Sequence, residues 1–128
     1  MRTPTPEPAP LRAVTILLVE DDLDLLALLA DYLEARGARV VRAATFALAD
    51  RALLAERFDL LVSDIDLPDG NGHDLLAERR ERIGAAVALT GRRDGDSMDA
   101  SRAAGFHAHL IKPCDPEILV RVAATLTT

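Results

Sequence analysis

At 128 residues, with 49% hydrophobic and 28% charged residues, the chain has the size and balance of one globular domain that folds without disulfides or metals. A net charge of −6 denies a nucleic-acid backbone the basic face it needs, and no apolar run approaches the about 20 residues of a membrane span. The lone Cys114 excludes an internal disulfide and, with no apolar signal region at the N-terminus, makes a reducing, cytoplasmic location the expectation.

The first ten residues, MRTPTPEPAP, hold four prolines and no apolar pattern, so residues 1–12 read as an extended, disordered tail or linker ahead of a domain at 13–128. TILLVE (15–20) is long enough for a buried strand. Asp22 can cap a helix in which Leu25, Leu26, Leu29 and Leu33 recur at helical spacing and Gly37 supplies the stop. ARVVRA (38–43) is a second strand, and Thr45 can cap a helix reaching about Arg57. DLLVSD (59–64) is a third strand, followed by a glycine-rich loop and an amphipathic helix near His73–Arg82. AAVALT (85–90) gives a fourth strand, Asp96–Ala104 a short helix, and HAHLI (107–111) a fifth strand. Asp115 and Pro116 then open a last helix with Ile118, Leu119 and Val122 on one face.

Alternating strands and helices at this size predict an α/β fold, a flavodoxin-like (βα)5 doubly wound parallel sheet of strand order 2-1-3-4-5. In such sheets the ligand site lies beyond the carboxyl ends of the strands. The first strand ends in Glu20-Asp21-Asp22, the third in Asp64, the fourth in Thr90, and the fifth runs into Lys112-Pro113. Lys112 is the only lysine among fifteen basic residues. A compact ammonium in a chain that otherwise uses Arg is a candidate functional group.

Three carboxylates at one edge repel: two charges 4 Å apart are worth roughly 4 kcal/mol at an effective dielectric of 20. A divalent cation would relieve this, and an all-oxygen ligand set suits Mg2+ or Mn2+ rather than zinc. His73, His107 and His109 have neither a companion cysteine nor the spacing of a zinc motif. The run SDIDLPDGNG leaves three chemistries open: a calcium loop, a phosphatase nucleophile with its acid/base partner, or a phosphate-accepting aspartate. The calcium loop fails, because counting from Asp64 positions 5, 6 and 12 hold Pro68, Asp69 and Leu75.

VEDD, SDIDLPDGNG, ALTG and GFHAHLIKP, in this order and each at a predicted strand end, resemble the receiver domains of bacterial two-component response regulators. The resemblance spans about residues 14–126, and its phrasing looks most like receivers attached to hybrid histidine kinases. It implies that Asp64 accepts a phosphoryl group from the phosphohistidine of a histidine kinase or histidine phosphotransfer protein. It further implies that Asp21, Asp64, the Asp66 main-chain carbonyl and, mostly through water, Glu20 hold magnesium. Lys112 would pair with a phosphoryl oxygen, Pro113 would hold the turn through a cis peptide, and Gly72 would let the chain turn into the next helix. Thr90 would bond the phosphoryl group once present, and His109 stands where the family places a switching aromatic.

The product would be a signal state rather than a turned-over substrate, read by a protein partner on the face of the fourth helix, fifth strand and fifth helix. Neither nucleic acid nor membrane is an expected partner. Asp66 is the candidate for tuning dephosphorylation, with Arg92 as its pairing partner, while Asp69 reads as a turn residue. Cys114 reads as a small packed hydrophobe. Two other readings share parts of the pattern. The D-x-D at Asp64 and Asp66 also resembles the nucleophile motif of haloacid-dehalogenase-type phosphatases. That motif belongs on a first strand, and Pro68 stands where a threonine-type residue belongs. A chemically inactive receiver-shaped interaction module would not need Glu20, Asp21, Asp64, Thr90 and Lys112 together. No output domain is expected, and two arrangements stay open, a free-standing receiver or a piece of a hybrid kinase.

Overall fold

Five parallel strands form the central sheet in a computed structural model that describes residues 9–91 and 95–128. In chain order the elements are β1 (Thr15–Val19), α1 (Leu23–Ala35), β2 (Arg39–Ala43), α2 (Phe46–Ala55), β3 (Phe58–Asp64), β4 (Asp66–Leu67), β5 (Gly70–Asn71), α3 (Gly72–Glu78), β6 (Ile83–Thr90), α4 (Gly95–Ala103), β7 (Ala108–Ile111) and α5 (Pro116–Thr127). β4 and β5 form a separate two-stranded hairpin. The main sheet runs β2-β1-β3-β6-β7, so its strands taken in chain order give the expected 2-1-3-4-5.

Period-two alternation divides the core into two layers. Ile16, Leu18, Leu60, Val62, Val87 and Leu89 face α1 and α5, packing on Leu26, Leu29, Leu33 and Leu119. Leu17, Val19, Leu61, Ala86 and Ala88 face the other way, with Leu53, Leu75 and Phe106. Leu60 is fully buried, and truncating such a leucine to alanine costs about 2–5 kcal/mol. Leu11 is fully buried in the first layer, and its amide donates to the Arg36 carbonyl at 2.9 Å, so the packed chain reaches back to that residue.

The helix starts follow the sequence signals. Asp22 accepts from the amides of Asp24 and Leu25, Thr45 from Leu48, and Asp115 from Glu117, with Pro116 opening α5. Gly37 stops α1 at φ +103. Several boundaries shift from expectation by one or more residues, and two of the shifts are informative. α3 ends at Glu78 and a 3₁₀ turn follows over Arg80–Arg82. β6 begins at Ile83 rather than Ala85. Gly84, which signals a break in the sequence, is needed inside β6 because a Cβ there would lie 2.6 Å from the Asp59 carbonyl oxygen.

Candidate functional site

Strand register assembles the site. Val19 pairs with Ser63, which sets Glu20, just past the end of β1, beside Asp64, the last residue of β3. Asp64 in turn pairs with Leu89, one residue before Thr90. The Lys112 amide donates to the Thr90 carbonyl at 2.8 Å, fastening the turn after β7 to β6. The Lys112–Pro113 peptide is cis.

From that turn Lys112 Nζ reaches both buried acids, Asp64 Oδ2 at 2.7 Å and Glu20 Oε1 at 2.5 Å. The second acid oxygens are also fixed: Glu20 Oε2 accepts from the Asp22 amide at 3.0 Å and Asp64 Oδ1 from the Asp66 amide at 3.1 Å. Burial raises the carboxyl pKa of Asp64 above its ordinary value, which the Lys112 bond offsets only in part, and the charge of Asp21 adds to the rise. Burial likewise raises Glu20 against the bonds from Lys112 and Asp22. For Lys112 burial opposes the ammonium, but the bonds to Asp64 and Glu20 prevail and its pKa is raised.

Among the described residues, Glu20, Asp21 and Asp64 form the only acidic group placed to hold a metal, with donor oxygens within 4.8 Å of one another. Three carboxylates face one ammonium. Glu20 Oε1 and Asp64 Oδ2 share that one ammonium. An all-oxygen cluster of excess negative charge fits a small hard divalent cation. Asp66 is exposed beside this cluster, and Arg92, its expected partner, lies outside the described residues.

Beside Thr90 a cavity of about 310 Å³ opens between the sheet and α4, lined by Ile65, Asp66, His73, Thr90, Ser101 and His109 among others. Thr90 is buried and His109 half-buried, on neighbouring strands. The imidazole thus faces the α4 layer, in the cavity that Thr90 also lines. His73 Nε2 lies 3.1 Å from the hydroxyl of buried Ser101, linking α3 to α4. His107 is used locally, its Nδ1 accepting from the Ala86 amide at 3.1 Å. Cys114 packs against the first core layer, and burial raises its thiol pKa.

The loop after Asp64 contains what sequence reasoning missed. The Ser63 hydroxyl donates to the Asp64 carbonyl at 2.8 Å, pinning the peptide that follows the acid. A polar residue inside an apolar strand was the available signal. Gly72 has no positive φ; it is required because a Cβ would stand 2.7 Å from the Asp64 carbonyl oxygen. Close approach, not turning freedom, explains that glycine. Asp69 is more than a turn residue, since both of its oxygens accept amides at the start of α2.

A family model for the response regulator receiver domain matches residues 16–124. An uncharacterized 14.6 kDa protein of Leptolyngbya boryana is 36% identical over 116 residues, 88% of each chain. The alginate biosynthesis transcriptional regulatory protein AlgB of Pseudomonas aeruginosa is 33% identical over 85% of this chain, which spans only 25% of AlgB. The crystal structure of a two-component response regulator from Clostridium difficile superposes with a TM-score of 0.84 at 26% identity, covering 88% of this chain and 94% of that one.

Proposed function

This chain belongs to the response regulator receiver domain family, and from that premise we propose that Asp64 is its phosphoacceptor, serving a two-component or phosphorelay system. Receiver domains are phosphorylated by histidine kinases or phosphotransfer proteins and act as signalling switches. In this reading an Asp64 oxygen attacks the phosphorus of a donor phosphohistidine in line. The P–N bond breaks with its electron pair returning to the imidazole, and an acyl phosphate forms on Asp64. Magnesium, held by Asp21, Asp64, the Asp66 carbonyl and, mostly through water, Glu20, supplies charge neutralisation for the transferring group when bound. Manganese has the same ligand preference.

The observation that carries the reading is Lys112, the only lysine, bonded to both Asp64 and Glu20 at the mouth of the acidic cluster. Its ammonium neutralises the resting nucleophile, then exchanges an Asp64 oxygen for a phosphoryl oxygen. Thr90 donates its hydroxyl to the new phosphoryl group, and the cavity beside it leaves His109 room to follow. We assign the signal readout to a protein partner on the face of α4, β7 and α5; on its β7–α5 side Ala108, Arg121, Val122, Thr125 and Leu126 line a groove of about 290 Å³. No described helix is long and apolar enough to cross a membrane, and we place the protein in the cytoplasm, where kinase donors act.

The test is incubation with acetyl phosphate and magnesium followed by intact-mass measurement. A gain of one phosphate that disappears in Asp64→Asn is expected. No gain, or a gain that survives the substitution, would refute the assignment.

A further inference from the structure

The turn between β4 and β5 is fastened to α2, and the fastening falls close to the proposed carbonyl ligand. Asp69 Oδ1 accepts from the Phe46 amide at 2.8 Å and Oδ2 from the Ala47 amide at 3.0 Å. These are the first two residues of α2, whose own cap, Thr45, accepts from Leu48 at 3.1 Å. Two side chains therefore satisfy three N-terminal amides that a helix leaves without an internal partner. One cap is the usual provision. The second comes from across the molecule. The amides of Ala47 and Phe46 hold the Asp69 carboxyl below its ordinary pKa.

Packing repeats the attachment. The Phe46 ring lies against Gly70, where an added Cβ would stand 2.7 Å from Cδ2. From Asp69 the path back to the site is short. Leu67 pairs with Gly70 and Asp66 with Asn71 across the hairpin, and the Asp66 amide bonds Asp64 Oδ1. The Asp66 main chain lies one rung from this turn, so the clasp is placed to hold it against Asp64.

Resting on the phosphoacceptor reading, we infer that Asp69 is a positioning residue for the metal-binding loop. By clasping the β4–β5 turn to the N-terminus of α2, it fixes the Asp66 main chain relative to Asp64 and so sets the site's affinity for magnesium. Asp69 itself touches neither ion nor phosphoryl group.

The experiment titrates MgCl2 into the acetyl phosphate reaction of the full chain for wild type, Asp69→Ala, Asp69→Asn and Thr45→Ala, with circular dichroism confirming that each folds. Groups that orient metal ligands affect metal affinity by about tenfold or more. Asp69→Ala should therefore raise the half-saturating magnesium concentration about tenfold, with little change at saturating ion. Asp69→Asn retains one acceptor oxygen and should fall between. Thr45→Ala removes the local cap and leaves the clasp, so it should lower the urea midpoint without changing the magnesium requirement. An unchanged requirement in Asp69→Ala would overturn the inference, as would an equal rise in Thr45→Ala, which would reduce the effect to general weakening of α2. A wild-type chain that takes no phosphate would overturn the phosphoacceptor reading and this inference with it.

Discussion

Replacing Asp64 by asparagine should stabilise the metal-free protein while abolishing its phosphorylation. The Asp64–Lys112 contact at 2.7 Å is worth about 6 kcal/mol of attraction at an effective dielectric of about 20. Against it stand about 3.5 kcal/mol of repulsion from buried Glu20, within 4.8 Å, and about 1 kcal/mol from exposed Asp21 at the dielectric of water. Attraction exceeds repulsion by about 1.5 kcal/mol, less than the several kcal/mol that desolvating a carboxylate costs. The charged form is therefore a net burden on the fold, in agreement with burial raising the Asp64 pKa.

Asparagine keeps the shape and drops the charge, and Lys112 retains Glu20 as its partner. The expected gain is about 1–2 kcal/mol in EDTA. Because the folded pKa is raised, the carboxyl's contribution to stability is fully present below its unfolded value and is lost as pH rises through the folded value. Asp64→Asn should lack that slope in the acid range. Magnesium reverses the comparison: an ion at twenty times its dissociation constant adds about 1.8 kcal/mol to the wild type and little to a variant missing a ligand. Urea denaturation followed by circular dichroism, in EDTA and in magnesium across pH, measures all three effects. An asparagine variant that is less stable than wild type in EDTA would refute the reasoning.

Two further substitutions probe the loop. Gly72→Ala places a methyl group 2.7 Å from the Asp64 carbonyl oxygen and 3.1 Å from the Ser63 hydroxyl oxygen, so it should cost about 1–3 kcal/mol by overpacking and slow phosphorylation; an unchanged urea midpoint and rate would show that the loop yields freely. Asp66→Ala removes an exposed carboxylate next to the nucleophile, and if that group orients the attacking water at about 1 kcal/mol, the phosphorylated form should live about fivefold longer, with an unchanged half-life discarding the role.

The alternation of strand and helix, the cap residues Asp22, Thr45 and Asp115, and the order of the sheet were legible in the sequence because each rests on local periodicity or local hydrogen bonding. So was the gathering of Glu20, Asp21, Asp64, Thr90 and Lys112 at one edge, since parallel strands must present their carboxyl ends together. The chain by itself thus determined a doubly wound sheet with an acidic, lysine-bearing edge. Tertiary structure decided the rest. Only register brings Lys112 to both acids, and only close approach explains Gly72 and Gly84, where the signal is the absence of a side chain. The Asp69 clasp joins residues 23 positions apart through a carboxylate and backbone amides. Backbone donors carry no sequence signature, so no pattern in the chain announces which helix a distant aspartate will cap.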